Sequence, residues 1–338
     1  MMSAEAPTQR ASASFRPRRF LSNGHLQTIL GNYLSRIDRL PAPFAQLVEV
    51  DAATKSQVLC HCHFQPAEVR SSRPSVIIVH GLEGSSSSQY VVGNANKLWA
   101  AGCNVIRMNM RNCGGTEKFA TTLYHSALSG DVDAVMRFFI EREGLTSVSL
   151  IGYSMGGNLV LKLAGDLGAS APKELKCVVG VSPAIDLGTS ADALHEPLNR
   201  IYEMKFLRSL TQRFRRKAEL FPTLYDASRA NHLRSLRDFD DCVTAFYAGF
   251  TGADDYYYRA AAARVLDRIA VPTLIIHSVD DPFVRLTPAS RDTLIANPSI
   301  TYIETEHGGH CAFLAQASMN DDGYWAEQTL LQFLLFKA

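Results

Sequence analysis

An α/β architecture, with a parallel sheet covered by helices on both faces, follows from three features of the chain. Short β-branched runs alternate with helical stretches from Ser75 to Pro183, and parallel neighbours need a crossover of the kind a helix supplies. The strand signal stops between about Asp186 and Ala263, where Arg, Leu, Phe and Tyr dominate, and then returns, so a helical insertion interrupts the sheet. With 338 residues and 46% hydrophobic content, the chain can bury one large core plus such an insertion.

The first strands, "FAQLVEV" and "SQVLCHCHF", flank the polar "DAATK" and read as an antiparallel pair. "SVIIVHG" is a strand from Ser75, "QYVVGNANKLWAAG" a helix ending at Gly102, and "NVIRMNMRNCGG" the next strand. "SGDVDAVMRFFIERE" is a helix with Asp131 in its first turn, where a carboxylate meets the positive helix end. Then come the strand "SVSLIG", the helix "GGNLVLKLAGDLG" and the strand "KCVVGVSP". Beyond the insertion, "VPTLIIHSVDD" and "SITYIETEHGGH" are strands, and "YWAEQTLLQFLLFKA" closes the chain as a helix. The expected organisation is a disordered tail over 1–14, core over 15–185, helical insertion over 186–263 and the remaining core over 264–338.

Composition excludes several functions. A net charge of +1 from nearly balanced acids and bases provides no overall field for nucleic acid or an anionic membrane, so a neutral or locally charged ligand is expected. Seven cysteines, an odd number without a framework, suit free thiols in a reducing compartment, and a cytoplasmic location is expected. In "LCHCHF", period-2 alternation puts Cys60 and Cys62 on one strand face and His61 and His63 on the other, which argues against a metal clip. No apolar run approaches the length of a membrane span. The first twenty residues, with four arginines and one glutamate, lack the apolar centre of a secretory signal and read as a disordered tail or an organellar transit peptide. "RFRRK" in the insertion reads as a solvated helix face, with anion binding as the alternative.

The chemistry centres on "GYSMGG". Ser154 stands between a strand and a helix, and Gly152 and Gly156 let the two approach, so the turn lifts the hydroxyl clear of the sheet. The helix start aims the Met155 N–H at an oxyanion forming on a bound carbonyl. A serine hydroxyl needs an imidazole to take its proton, and the imidazole needs a carboxylate to orient it. Both belong after later strands, in the order Ser, Asp, His. Asp280 and Asp281 follow one strand, and His307 and His310 the next. Asp281, before Pro-Phe-Val, is preferred as the orienting acid, and Asp280 as a turn cap. His310, after two glycines that let its loop swing inward, is preferred as the base, and His307 as a supporting or exposed residue. The loop "HGLEGSSSS" supplies the second oxyanion donor, the Leu82 N–H, with His80 in a structural hydrogen bond. Arg111 and Asn112 are assigned to loop geometry, and Cys113 and Cys311 to packing.

Eight collinear segments, "SNGHLQTI", "HGLEGSSSSQY", "MNMRNCGGTE", "LYHSALSGDV", "GYSMGGN", "FDDCVTAFYAGF", "DDPFV" and "HGGHCAF", resemble the signature blocks of the YheT-like subgroup of α/β-hydrolases. The resemblance runs from Phe15 to near the chain end. It implies an α/β-hydrolase fold with a sheet of about eight mostly parallel strands, a helical cap formed by the insertion, esterase activity, and Ser154, Asp281 and His310 as the charge-relay set. Members of the subgroup commonly have proline where this chain has Gly24; its loss is expected to loosen the N-terminal arm without touching the chemistry. Eukaryotic relatives act on phospholipids or acylglycerols, so lipid esters are implied substrates.

The function expected is a serine carboxylic-ester hydrolase acting through an acyl-enzyme on short- to medium-chain acyl or lipid esters, with no metal or organic cofactor. Phe206, Phe214, Phe221, Tyr225, Phe246, Tyr247 and Phe250 either shelter the acyl chain or form the core of the insertion. The competing readings are an acyltransferase using the same triad and a ligand-binding protein without turnover.

Overall fold

The computed structural model describes residues 15–319 and 321–337 of the chain; the tail expected over 1–14 lies outside them. Eight strands form one sheet in the order β1-β2-β4-β3-β5-β6-β7-β8. They are β1 (Phe44–Asp51), β2 (Ser56–His63), β3 (Ser75–Val79), β4 (Asn104–Met108), β5 (Val148–Tyr153), β6 (Leu175–Val181), β7 (Thr273–Ser278) and β8 (Ile300–Thr305). Strand β2 runs antiparallel to both β1 and β4, and every other pairing is parallel.

The central strands are apolar along their whole length because both faces are covered. In β3, Ile77 and Val79 join the core on one face, while Val76 and Ile78 join the core on the other; successive side chains of a strand point in opposite directions. The first core packs against the helices Ser129–Glu143 and Met155–Leu167, the second against Gln89–Ala100 and Trp325–Lys337. The same alternation explains "LCHCHF". Cys60 and Cys62 point into the first core, whereas the His61 ring meets the Ser86 hydroxyl at 2.9 Å and the His63 ring the Arg107 guanidinium at 3.0 Å. Among the described residues no cluster of His, Cys, Asp or Glu is arranged to hold a metal ion, and no helix is long and apolar enough to cross a membrane.

The parallel strands direct their carboxyl ends to one edge, where the loops after β3, β5, β7 and β8 meet. Between β6 and β7 the chain forms helices, including Leu187–His195, Arg200–Leu220 and Ala253–Ala260. The basic stretch within Arg200–Leu220 departs from the solvated face expected for it. Arg213 is mostly covered and Lys217 is fully buried, while only Arg215 and Arg216 of that run face outward. Two residues a helical turn apart share a face, and here that face packs onto the sheet edge.

Candidate active site

Ser154 adopts φ 54° and ψ −118° between β5 and the helix Met155–Leu167. Positive φ strains a residue with a Cβ, so the turn has to be held from outside. The Ser154 N–H donates to the Val181 carbonyl at 3.0 Å, and its own carbonyl accepts from Ala184 and Asn158, both at 3.1 Å. Glycine is needed twice below it. A Cβ at Gly156 would run into the carbonyl oxygens of Val79 and His80, and one at Gly152 into the Gly156 carbonyl. The close fit of helix to strand is what raises the hydroxyl above the sheet edge.

The structure brings Ser154, Asp281 and His310 together from three separate loops. The Ser154 hydroxyl lies 2.9 Å from His310 Nε2, and His310 Nδ1 lies 2.8 Å from Asp281 Oδ2. An ionised Asp281 can only accept, so Nδ1 carries the ring proton and Nε2 is left free to take one from the hydroxyl. The second Asp281 oxygen accepts from the Phe283 and Val284 N–H groups at 3.1 and 2.9 Å. Burial works to raise the Asp281 pKa, but the His310 charge and its hydrogen bond offset this and hold the carboxyl below its ordinary value. Burial also opposes charge on His310, and the adjacent Asp281 carboxylate overcomes it, raising the imidazole above its ordinary value.

Asp280 faces the other way. Its Oδ1 accepts the Gly309 N–H at 2.8 Å and so braces the loop beside the site, whereas its Oδ2, 3.5 Å from the His307 ring, makes no hydrogen bond among the described residues. The ring of Phe283 packs 4.4 Å from that of His310. Cys311, at φ 64°, donates its N–H to Ser182 Oγ at 3.1 Å.

The N-terminal arm grips the histidine loop. Asn23 caps the helix Gly24–Tyr33 by accepting the N–H groups of His25 and Leu26. Thr28 Oγ1 then accepts the His310 N–H at 2.8 Å while donating to the Gly24 carbonyl. Fully buried Gln27 donates to the carbonyls of Leu21 and Leu314 and accepts the Leu314 N–H at 2.8 Å. A side chain at position 24 would collide with the Asp280 carbonyl, so glycine permits this close docking. The "SNGHLQTI" segment carried the signal for these residues, but its partners lie nearly three hundred positions away. Gln27→Ala leaves the Leu314 N–H unpaired and opens a void; it is expected to lower stability by about 2–3 kcal/mol, read as a shifted urea midpoint.

The loop after β3 forms the opposite wall. His80 is fully buried, with Nδ1 donating to the Gly81 carbonyl at 2.8 Å and Nε2 accepting the Met110 N–H at 3.1 Å. Burial pushes its pKa down to about 4, so the ring is neutral and holds the turn. Arg111 forms a bidentate pair with Asp131, at 2.7 and 2.6 Å, and Asn112 turns the loop at φ 65°. Leu82, Ser154 and Met155 border one cavity, whose walls are mainly apolar and include Leu187, Leu194, Phe206, Leu210 and Phe214. Among the described residues neither the Leu82 nor the Met155 N–H has an acceptor. Of the seven aromatic residues named for the insertion, Phe206 and Phe214 reach this cavity; Tyr225 and Tyr247 instead stack behind Phe214.

Comparison with known proteins places this arrangement in a family. The alpha/beta hydrolase fold family matches residues 74–317. The chain is 31% identical to "Putative esterase YheT" of Escherichia coli (strain K12), over 96% of this chain and 94% of that protein. It is 27% identical to "Phospholipase ABHD3" of Bos taurus, over 79% of this chain but only 63% of that longer protein. Among solved structures, 2,6-dihydroxy-pseudo-oxynicotine hydrolase superposes with a TM-score of 0.58 at 17% identity, covering 93% of this chain and 71% of that one, a likeness of fold. The mostly parallel eight-stranded sheet, the serine elbow at its carboxyl edge and these matches establish that the chain belongs to the YheT-like subgroup of the α/β-hydrolase superfamily.

Proposed function

We propose that the protein is a serine carboxylic-ester hydrolase working through an acyl-enzyme. The observation that carries this reading is the continuous hydrogen-bonded series Asp281, His310, Ser154 beside an apolar cavity. In the first half-reaction Ser154 Oγ attacks the ester carbonyl and passes its proton to His310 Nε2. Asp281 steadies the imidazolium, and the free N–H groups of Leu82 and Met155 stabilise the oxyanion. His310 then gives the proton to the departing alcohol. In the second half water attacks the acyl-enzyme, with His310 again the base, and Ser154 is restored.

The acyl portion fits against Leu187, Leu194, Phe206, Leu210 and Phe214, which supports short- to medium-chain acyl or lipid esters as substrates. Names of relatives as an esterase and a phospholipase support the same class. The helices between β6 and β7 act as the cap that covers this chain. Turnover of p-nitrophenyl esters from acetyl to palmitoyl tests the reading. Each methylene that reaches the wall is expected to raise kcat/KM by about fourfold, until the wall is filled. No hydrolysis of any member of the series would overturn the proposal.

A further inference from the structure

The turn that presents the Leu82 N–H is tied to the helical insertion by a buried ionic cluster. Within residues 81–84 nearly every amide is engaged. The Gly81 N–H donates to the Tyr90 hydroxyl at 2.8 Å, Glu83 to the Tyr124 hydroxyl at 3.3 Å, and Gly84 to the Gly81 carbonyl at 3.0 Å. Among the described residues only the Leu82 N–H of this turn lacks an acceptor, and Leu82 borders the cavity with Ser154. Its neighbour Glu83 is held at φ 57°, a conformation costly for a residue with a Cβ.

What holds Glu83 there comes mostly from the helix Arg200–Leu220. Arg213 donates from Nε to Glu83 Oε1 at 2.8 Å and from Nη2 to Oε2 at 3.2 Å; the Ser209 hydroxyl donates to Oε2 and the Tyr124 hydroxyl to Oε1. Arg213 Nη1 also donates to the Asn112 carbonyl. One turn on, the buried Lys217 ammonium donates to Asn112 Oδ1 at 2.6 Å and to the carbonyls of Glu117 and Ala120. Residues 209, 213 and 217 share one helix face, and that face is engaged with the loops after β3 and β4.

We propose that Glu83 and Arg213 are positioning residues that hold the Leu82 N–H in its oxyanion-binding orientation, so that the helical insertion sets the donor as well as covering the cavity. This rests on the esterase reading above. Arg213 borders the cavity, but neither side chain is hydrogen-bonded to Ser154, His310 or Asp281, and the pair acts through the backbone of the turn. A desolvated ion pair adds little net stability compared with apolar packing, but its forked geometry restrains direction as well as distance. The same helix supplies the wall residues Phe206, Leu210 and Phe214, so wall and donor share one rigid element.

The test compares wild type with Glu83→Gln and Arg213→Gln, using the full chain. Readouts are kcat and KM for a p-nitrophenyl ester, the inhibition constant of an alkyl trifluoromethyl ketone, whose serine adduct is a tetrahedral oxyanion, and the melting temperature. Either variant is expected to lose about 10- to 100-fold in kcat, part of the loss known for deleting an oxyanion donor outright. KM should stay within about threefold, and ketone affinity should fall in parallel with kcat. If one variant fails to fold, the other carries the test. A lowered melting temperature with kcat and ketone affinity unchanged would assign the pair to folding alone and overturn the proposal. Labelling of the wild type by a fluorophosphonate separates the two readings. A wild type that is neither labelled nor active overturns the esterase reading and this inference together, whereas a labelled, active wild type with equally active variants overturns only the inference.

Discussion

Ser154→Ala is expected to lower ester turnover by about five orders of magnitude and to abolish labelling by a fluorophosphonate, with the fold retained. The hydroxyl lies 2.9 Å from His310 Nε2, and removal of an activated serine leaves only binding and oxyanion stabilisation to act on the substrate. Labelling that survives the change would move the nucleophile elsewhere. The neighbouring carboxylates separate in the same assay. Asp281→Asn is expected to cost about four orders of magnitude, because an amide cannot hold the imidazole in the required tautomer. Asp280→Asn keeps an oxygen to accept the Gly309 N–H and should cost less than tenfold.

The pH profile follows from the same pair. In the proposed mechanism His310 is a base only when neutral; burial works to lower its pKa, and Asp281 raises it above the ordinary value. The acid limb of kcat/KM therefore lies above the ordinary histidine value of about 6.5, with activity lost as pH falls through it. In whatever activity remains, Asp281→Asn should move that limb to lower pH. An unshifted limb would mean that another group sets it.

Gly156→Ala is expected to destabilise the protein by about 3 kcal/mol and to remove most activity from the molecules that fold. The new methyl group would meet the Val79 and His80 carbonyls, which belong to a central strand and its following turn and have little room to yield. Overpacking of this kind commonly costs about 1–3 kcal/mol, and two backbone obstacles put this site at the upper end. The helix Met155–Leu167 would tilt away from β3, carrying the Met155 N–H and the Ser154 hydroxyl with it. Urea unfolding gives the first effect and kcat the second. A variant of wild-type midpoint and activity would show that the helix does not depend on this contact.

Much of the architecture is written locally. The β-branched run Ser75–Val79, the helix after it that reads as ending at Gly102 and the Gly-Tyr-Ser-Met-Gly-Gly turn each announce themselves within a few residues, because periodicity and turn stereochemistry are short-range properties. The basic run in the insertion was less legible. Its composition is that of a solvated face, yet Arg213 and Lys217 turn inward because acceptors at Glu83, Asn112, Glu117 and Ala120 wait there. Nothing near residue 213 in the chain announces Glu83.

The sequence alone determined the alternation that makes a parallel sheet, the strained serine turn, and the chain order in which an acid and a histidine must follow it. Tertiary structure alone decided that the three side chains stand within hydrogen-bond reach, that Asp280 braces a loop while Asp281 meets the imidazole, and that Gln27 and Thr28 clasp the histidine loop from the other end of the chain. The division has a physical cause. Local conformational preference is set by neighbouring residues, whereas a hydrogen bond between positions 28 and 310 exists only once the packed sheet has brought their loops to the same edge.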